Sequence, residues 1–219
     1  MIIVAVDETS LKKALELIDN LDSKKCMLKI GSVAFNSIGK EIIYSAAEKD
    51  FDIFLDLKLH DIPNTVKKSI EGISVLPISM LTIHTSGGVD MMRAAMEAVL
   101  GTKIKVFGVT ALTSLNDNDA NDIYKRTTFD QVNKMLDLAE LAGIDGVVCS
   151  PHELELVNKK RLLSITPGIR IDSHDDDQKR VMTPKEAKDL GADYIVIGRP
   201  ITSSDNISES LNEIFQSIQ

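Results

Sequence analysis

The sequence predicts an α/β protein folded as a (β/α)8 TIM barrel. Eight short apolar runs rich in β-branched residues recur along the chain, and segments of helical periodicity separate most of them. Alternation of strand and helix implies parallel strands joined by crossover helices, and eight units of roughly 25 residues suit a closed barrel better than an open sheet. The alternative, a doubly wound open sheet, would carry a glycine-rich phosphate fingerprint after its first strand. Here that loop reads Asp7-Glu8-Thr9-Ser10.

The first run, IIVAV at 2–6, is followed by LKKALELIDNL at 11–21, whose apolar residues recur at helical spacing. MLKIG at 27–31 is the second strand and IFLDL at 53–57 the third. Pro63 then forces the chain out of β geometry, and Asn64 or Thr65 can cap the helix that follows. MLTIH at 80–84 and IKVFGVT at 104–110 are strands four and five, and FDQVNKMLDLAELAG at 129–143 is the helix before strand six, GVVCS at 146–150. LLSIT at 162–166 and YIVIG at 194–198 complete the set. The helix between them begins at Thr183-Pro184-Lys185-Glu186, a capping box with proline at the first helical position. The acidic stretch 171–181 has the composition of a mobile lid.

At 219 residues and 43% hydrophobic composition the chain has enough apolar surface for a sizeable core, expected as one domain over 1–219. A net charge of -8 and a pI near 5.0 argue against a broad surface for nucleic acid or anionic membrane, while leaving room for a local cationic pocket. The opening MIIVAVD enters a strand pattern without a basic segment or cleavage site, and no window approaches the ~18 apolar residues of a membrane span. A cytoplasmic location is expected. Cys26 and Cys149 lack C-x-x-C spacing and read as reduced, buried thiols.

Catalytic groups of such barrels gather at the carboxyl ends of the strands. That rule selects Asp7 after strand one, Lys29 in strand two, Asp56 and Lys58 in strand three, and Asp61 in the loop beyond. Asp56 and Lys58 share a face because side chains alternate with period two, and ionised groups there are expensive, an expense that usually signals chemistry. An alternating Lys29-Asp56-Lys58-Asp61 array compensates its own charge and fixes the lysine heads. Further round the rim come Thr113, Arg170 and the pair Gly198-Arg199. The loops after strands seven and eight form the usual phosphate corner, where Arg199 can bind oxygens bidentately and Gln178 can close over them.

These segments, VAVD, LKIG, FLDLKLHDIPNT, HTSGG, ALTS, DGVVCS, TPGIR, DQKRVMTP and DYIVIGRPIT, resemble in order the motifs of orotidine 5'-phosphate decarboxylases of the bacterial type, over nearly the whole chain. The resemblance implies cofactor- and metal-independent decarboxylation of orotidine 5'-monophosphate to uridine 5'-monophosphate in pyrimidine biosynthesis. Lys58 would be the proton donor, with Asp56, Lys29 and Asp61 in the charged array and Asp7 and Lys29 on the ribose. Ile62, Thr65, Thr113 and Pro167 would belong to the substrate site, and Gln178, Arg170, Gly198 and Arg199 would hold phosphate. It further implies a homodimer in which Asp61 and Thr65 reach the neighbouring active site. The sequence departs from the family in the lid, where Ile171-Asp172-Ser173-His174 and three aspartates replace a more glycine-rich stretch.

The nearest rival is a magnesium-dependent sugar-phosphate lyase or decarboxylase of the same superfamily, which also carries Asp-x-Lys-x-x-Asp. In those relatives a glycine follows soon after the last Asp, whereas this chain continues Ile62-Pro63-Asn64-Thr65. A non-catalytic nucleotide sensor would not require the buried charges. His60 and His84 read as structural, His152 and His174 as solvated, and Cys149 as core. Asp175-Asp176-Asp177 lacks the alternating ligands and glycine of a calcium loop.

Overall fold

The computed structural model describes residues 1–170 and 182–219. Eight parallel strands close into a barrel in sequence order: β1 (Ile2–Val6), β2 (Cys26–Gly31), β3 (Ile53–Leu59), β4 (Met80–His84), β5 (Lys105–Val109), β6 (Gly146–Val148), β7 (Leu163–Thr166) and β8 (Tyr194–Ile197). Ile2 lies opposite Cys26 of β2 on one side and Ile195 of β8 on the other, which completes the ring. Each strand coincides with one of the eight runs read from the sequence, and the open sheet is excluded. The stretch 171–181, with Gln178, lies outside the described residues.

The expected helices form for the expected reasons. Leu11–Ile18 buries Ala14, Leu17 and Ile18. Thr128–Ala142 buries a stripe including Val132, Met135, Leu136 and Ala139, and ends on Gly143 in the left-handed region at φ 75°. Pro184–Asp189 opens with the capping box, in which the Thr183 side chain accepts from Glu186 N and Glu186 Oε2 accepts from Thr183 N. One local expectation is corrected. The helix after β3 runs Pro63–Ile73 with Ile62 as its N-cap residue, so Asn64 and Thr65 lie inside it and cap nothing. Proline's fixed φ suits the first helical position, and the residue before it is held extended, here at ψ 152°. No helix among the described residues is long and apolar enough to cross a membrane.

The strands separate two apolar regions. Ile53 and Leu55 face the helices within the larger core, whereas Phe54 joins Ile3, Met27, Met80, Phe107 and Ile165 inside the barrel. Phe107 meets Phe54 and Tyr194 edge-on, at ring centroid distances of 6.4 and 6.0 Å. The ring needs the space left by Gly146, where a β-carbon would lie 2.5 Å from Phe107 Cε1. Followed toward the carboxyl ends, the inward stripes change character with period two: Ile3, Ala5, Asp7; Met27, Lys29; Phe54, Asp56; Met80, Thr82, His84. An apolar floor thus supports a polar mouth.

Candidate active site

β3 does not run straight into that mouth. Leu55 pairs with Leu81 and Leu59 with Ile83, so four residues of β3 advance while two of β4 do. Lys58 lies in this bulge at φ 53°, a left-handed conformation costing a residue with a side chain about 1–2 kcal/mol. The bulge leaves the Lys58 amide without a ladder partner, and it donates instead to Thr82 Oγ1 at 2.8 Å. The same hydroxyl donates to Asp56 Oδ1 at 2.9 Å.

Asp56 is buried, and its other oxygen is met by two ammonium groups, Lys58 Nζ at 2.7 Å and Lys29 Nζ at 3.8 Å. Lys29 also reaches Asp7 Oδ1 at 3.3 Å. Asp7, Lys29, Asp56 and Lys58 therefore form one alternating chain of charge from β1 to β3. Paired charges answer one another where each alone would be costly.

Asp7 and Lys29 also line a cavity of about 380 Å³, together with Pro167, Gly168, Arg170, Gly198 and Arg199. The two loops expected to hold an anion thus border the same cavity as the charged chain. Arg199 begins a short helix, Arg199–Thr202, directly after β8. Arg170 donates to the Ile169 carbonyl at 3.1 Å. Thr113 is half-buried in the loop after β5.

Asp61 stands apart from the array in the single chain. Its carboxylate accepts the Ile62 amide at 2.6 Å and makes no ion pair with a described residue. Residues 60–65 are exposed throughout, Ile62 at 67%. The alternating chain ends at Lys58, whose ammonium is turned back onto Asp56.

Sequence reasoning passed over Thr82 because threonine is an ordinary strand residue. Its position between Met80 and His84 on the inward stripe is the signal that could have found it. His84 stacks at a tilt on His60, ring centroids 5.3 Å apart. Burial, then the nearby His60 and Lys58, hold the His84 imidazole below its ordinary value, against the opposing effect of Asp56. Both cysteines are buried thiols. Burial pushes Cys26 up to about 12 and raises Cys149 as well, which leaves neither disposed to act as a nucleophile.

Residues 1–214 match the model of the orotidine 5'-phosphate decarboxylase / HUMPS family. The orotidine 5'-phosphate decarboxylase of Mannheimia succiniciproducens is 43% identical over 99% of this chain and 96% of its own. That of Wolbachia pipientis is 44% identical over 99% and 98%. Among solved structures, the orotidine 5'-phosphate decarboxylase of Lactobacillus acidophilus superposes with a TM-score of 0.87 at 31% identity, covering 100% of this chain and 98% of the other. The Methanocaldococcus jannaschii enzyme, at 20% identity and a TM-score of 0.82 over 100% and 98%, shares the fold. With the family match spanning the barrel from first strand to last helix, the chain belongs to the orotidine 5'-phosphate decarboxylase / HUMPS family.

Proposed function

We propose that this chain is an orotidine 5'-phosphate decarboxylase, a carboxy-lyase that forms uridine 5'-monophosphate and carbon dioxide in pyrimidine biosynthesis without metal or cofactor. The observation that carries this reading is the chain Asp7, Lys29, Asp56, Lys58, whose first two members line a cavity together with Arg170 and Arg199. In the reaction the bond from C6 to the carboxylate breaks and the electron pair stays in an in-plane orbital that the ring cannot delocalise. Stabilisation therefore has to come from a fixed charge nearby. Lys58 supplies it and then gives its proton to C6, so that one ammonium serves both steps. The buried Asp56 holds that ammonium in place before the reaction begins, so little reorganisation is left for the transition state.

Lys29 and Asp7 are assigned to the ribose, and Arg199, Arg170 and the Gly198 backbone to phosphate, with Gln178, Thr113, Pro167, Ile62 and Thr65 completing the substrate site. Phosphate binding far from the ring supplies interaction energy that appears as catalysis at C6. Asp61 and Thr65, exposed in the single chain, are assigned to the neighbouring active site of a homodimer. The family also contains sugar-phosphate enzymes, and the surroundings of Asp56 weigh against a magnesium ion there. Two ammonium groups and a hydroxyl already surround its carboxylate, and a divalent cation would meet their positive charge.

The deciding experiment follows orotidine 5'-monophosphate absorbance with purified protein in excess EDTA, beside a Lys58→Ala variant. Rapid loss of substrate that the variant abolishes is expected. Activity confined to a sugar phosphate in the presence of magnesium would assign the chain to the other branch of the family.

A further inference from the structure

We propose that Thr82 is a positioning residue for the decarboxylation, the hub that holds both the backbone and the charged head of Lys58; the inference rests on the proposed function. Its hydroxyl accepts the Lys58 amide at 2.8 Å and donates to Asp56 Oδ1 at 2.9 Å, while Asp56 Oδ2 accepts the Lys58 ammonium at 2.7 Å. Lys58 is thereby tied to one oxygen twice, directly at its amide and through Asp56 at its Nζ. A hydroxyl has one hydrogen to give, and here Asp56 takes it. The direction of both bonds follows, because a carboxylate only accepts and an amide only donates.

The arrangement answers a need created by the bulge. Left-handed backbone at Lys58 is unfavourable and persists only where its surroundings enforce it. On the other side of β4, Thr82 is held in regular register opposite Phe107, so the hydroxyl projects from a strand that cannot easily shift. β-Branching restricts its rotamers further. Thr82 is 1% exposed, so water is poorly placed to replace the hydroxyl if it is removed. The bonds of the Thr82 hydroxyl go to Lys58 and Asp56, at the charged end of the site, so its effect should fall on the chemical step rather than on phosphate binding.

Thr82→Val keeps the shape and removes both hydrogen bonds. It is expected to lower kcat about 10²-fold, the scale of a misplacement of about 1 Å in a reacting group, while KM changes little. Thr82→Ser, which retains the hydroxyl, should restore kcat to within about threefold of wild type. Thr82→Cys, with a weaker donor and acceptor, should fall between them, and it serves if the valine variant does not fold. In parallel, hydrogen exchange at the Lys58 amide is measured by NMR without substrate. Exchange should be slow in wild type and Thr82→Ser, and about tenfold or more faster once the acceptor is lost. A valine or cysteine variant with wild-type kcat, or with a Lys58 amide as protected as in wild type, would overturn the proposal. Wild-type protein inert toward orotidine 5'-monophosphate would overturn the decarboxylase reading instead, and the amide exchange would still decide whether Thr82 holds the bulge.

Discussion

A β-carbon at Gly31 would lie 2.8 Å from Lys29 Nζ and 3.4 Å from Asp7 Oδ1. The backbone there, at φ -91°, is open to any residue, so the constraint is space beside the ammonium group. Since the crowded atom is the far end of a flexible side chain, Gly31→Ala should fold normally yet displace Lys29. We expect kcat/KM to fall about tenfold or more with a melting temperature close to wild type, checked by kinetics and calorimetry on one preparation. His84 makes a separate prediction. Its folded value is depressed below 6.5, so above that pH both folded and unfolded states hold it neutral and it contributes no slope. As pH falls through 6.5 the unfolded chain takes the proton first and stability declines, levelling off below the folded value. Urea midpoints between pH 7.5 and 5, taken here as roughly one unit or more either side of an ordinary histidine, should show this decline, with Asp56, His60 and Lys58 facing the ring in both forms. An equally steep decline in His84→Gln would rule His84 out as its source. At this scale the sequence exposed Lys29, Asp56 and Lys58 because charge within an apolar strand is conspicuous, and Asp7 because it follows directly on a strand's carboxyl end. Thr82 was hidden because a buried hydroxyl is inexpensive enough to look ordinary.

The eight strands were legible because each is a short apolar run bounded by loops, and the helices because their buried residues recur at helical spacing. The bulge in β3 was not. Alternation along one strand reports which face a side chain takes, but a bulge is a mismatch between neighbours, and its evidence lies partly in β4. The cap of the helix that starts at Pro63 was misplaced by two or three residues for a related reason, since several residues there can cap and only the backbone decides among them. The barrel floor yields its own prediction. Phe107 is fully buried between the rings of Phe54 and Tyr194. Phe107→Ala should cost about 3–5 kcal/mol of unfolding free energy, measured by urea denaturation, because Gly146 opposite has no side chain with which to fill the gap.

At the scale of the whole molecule the role of the exposed run 60–65 can be tested with two copies of the chain. Lys58→Ala and Asp61→Ala are each expected to be inactive alone. If Asp61 serves the neighbouring site, mixing them after dissociation and reassociation should restore about a quarter of wild-type activity, because half the dimers are mixed and one of their two sites is whole. No recovery despite subunit exchange would place Asp61 in its own chain's site. Spacing in the sequence cannot separate these two outcomes, since a residue aimed at a neighbour and one aimed at solvent look alike in one chain. The closure of β1 on β8 has a consequence of another kind, in the order of events as the chain is made. Ile2 pairs with Cys26 across one helical crossover, but its other partner, Ile195, lies far along the chain. The growing polypeptide can zip neighbouring strands together as they emerge, yet the free edge of β1 must wait until β8 has been synthesised. A nascent chain stalled before β8 would carry two open strand edges, at β1 and β7, and would be a substrate for chaperones or a seed for aggregation until β8 closes the ring.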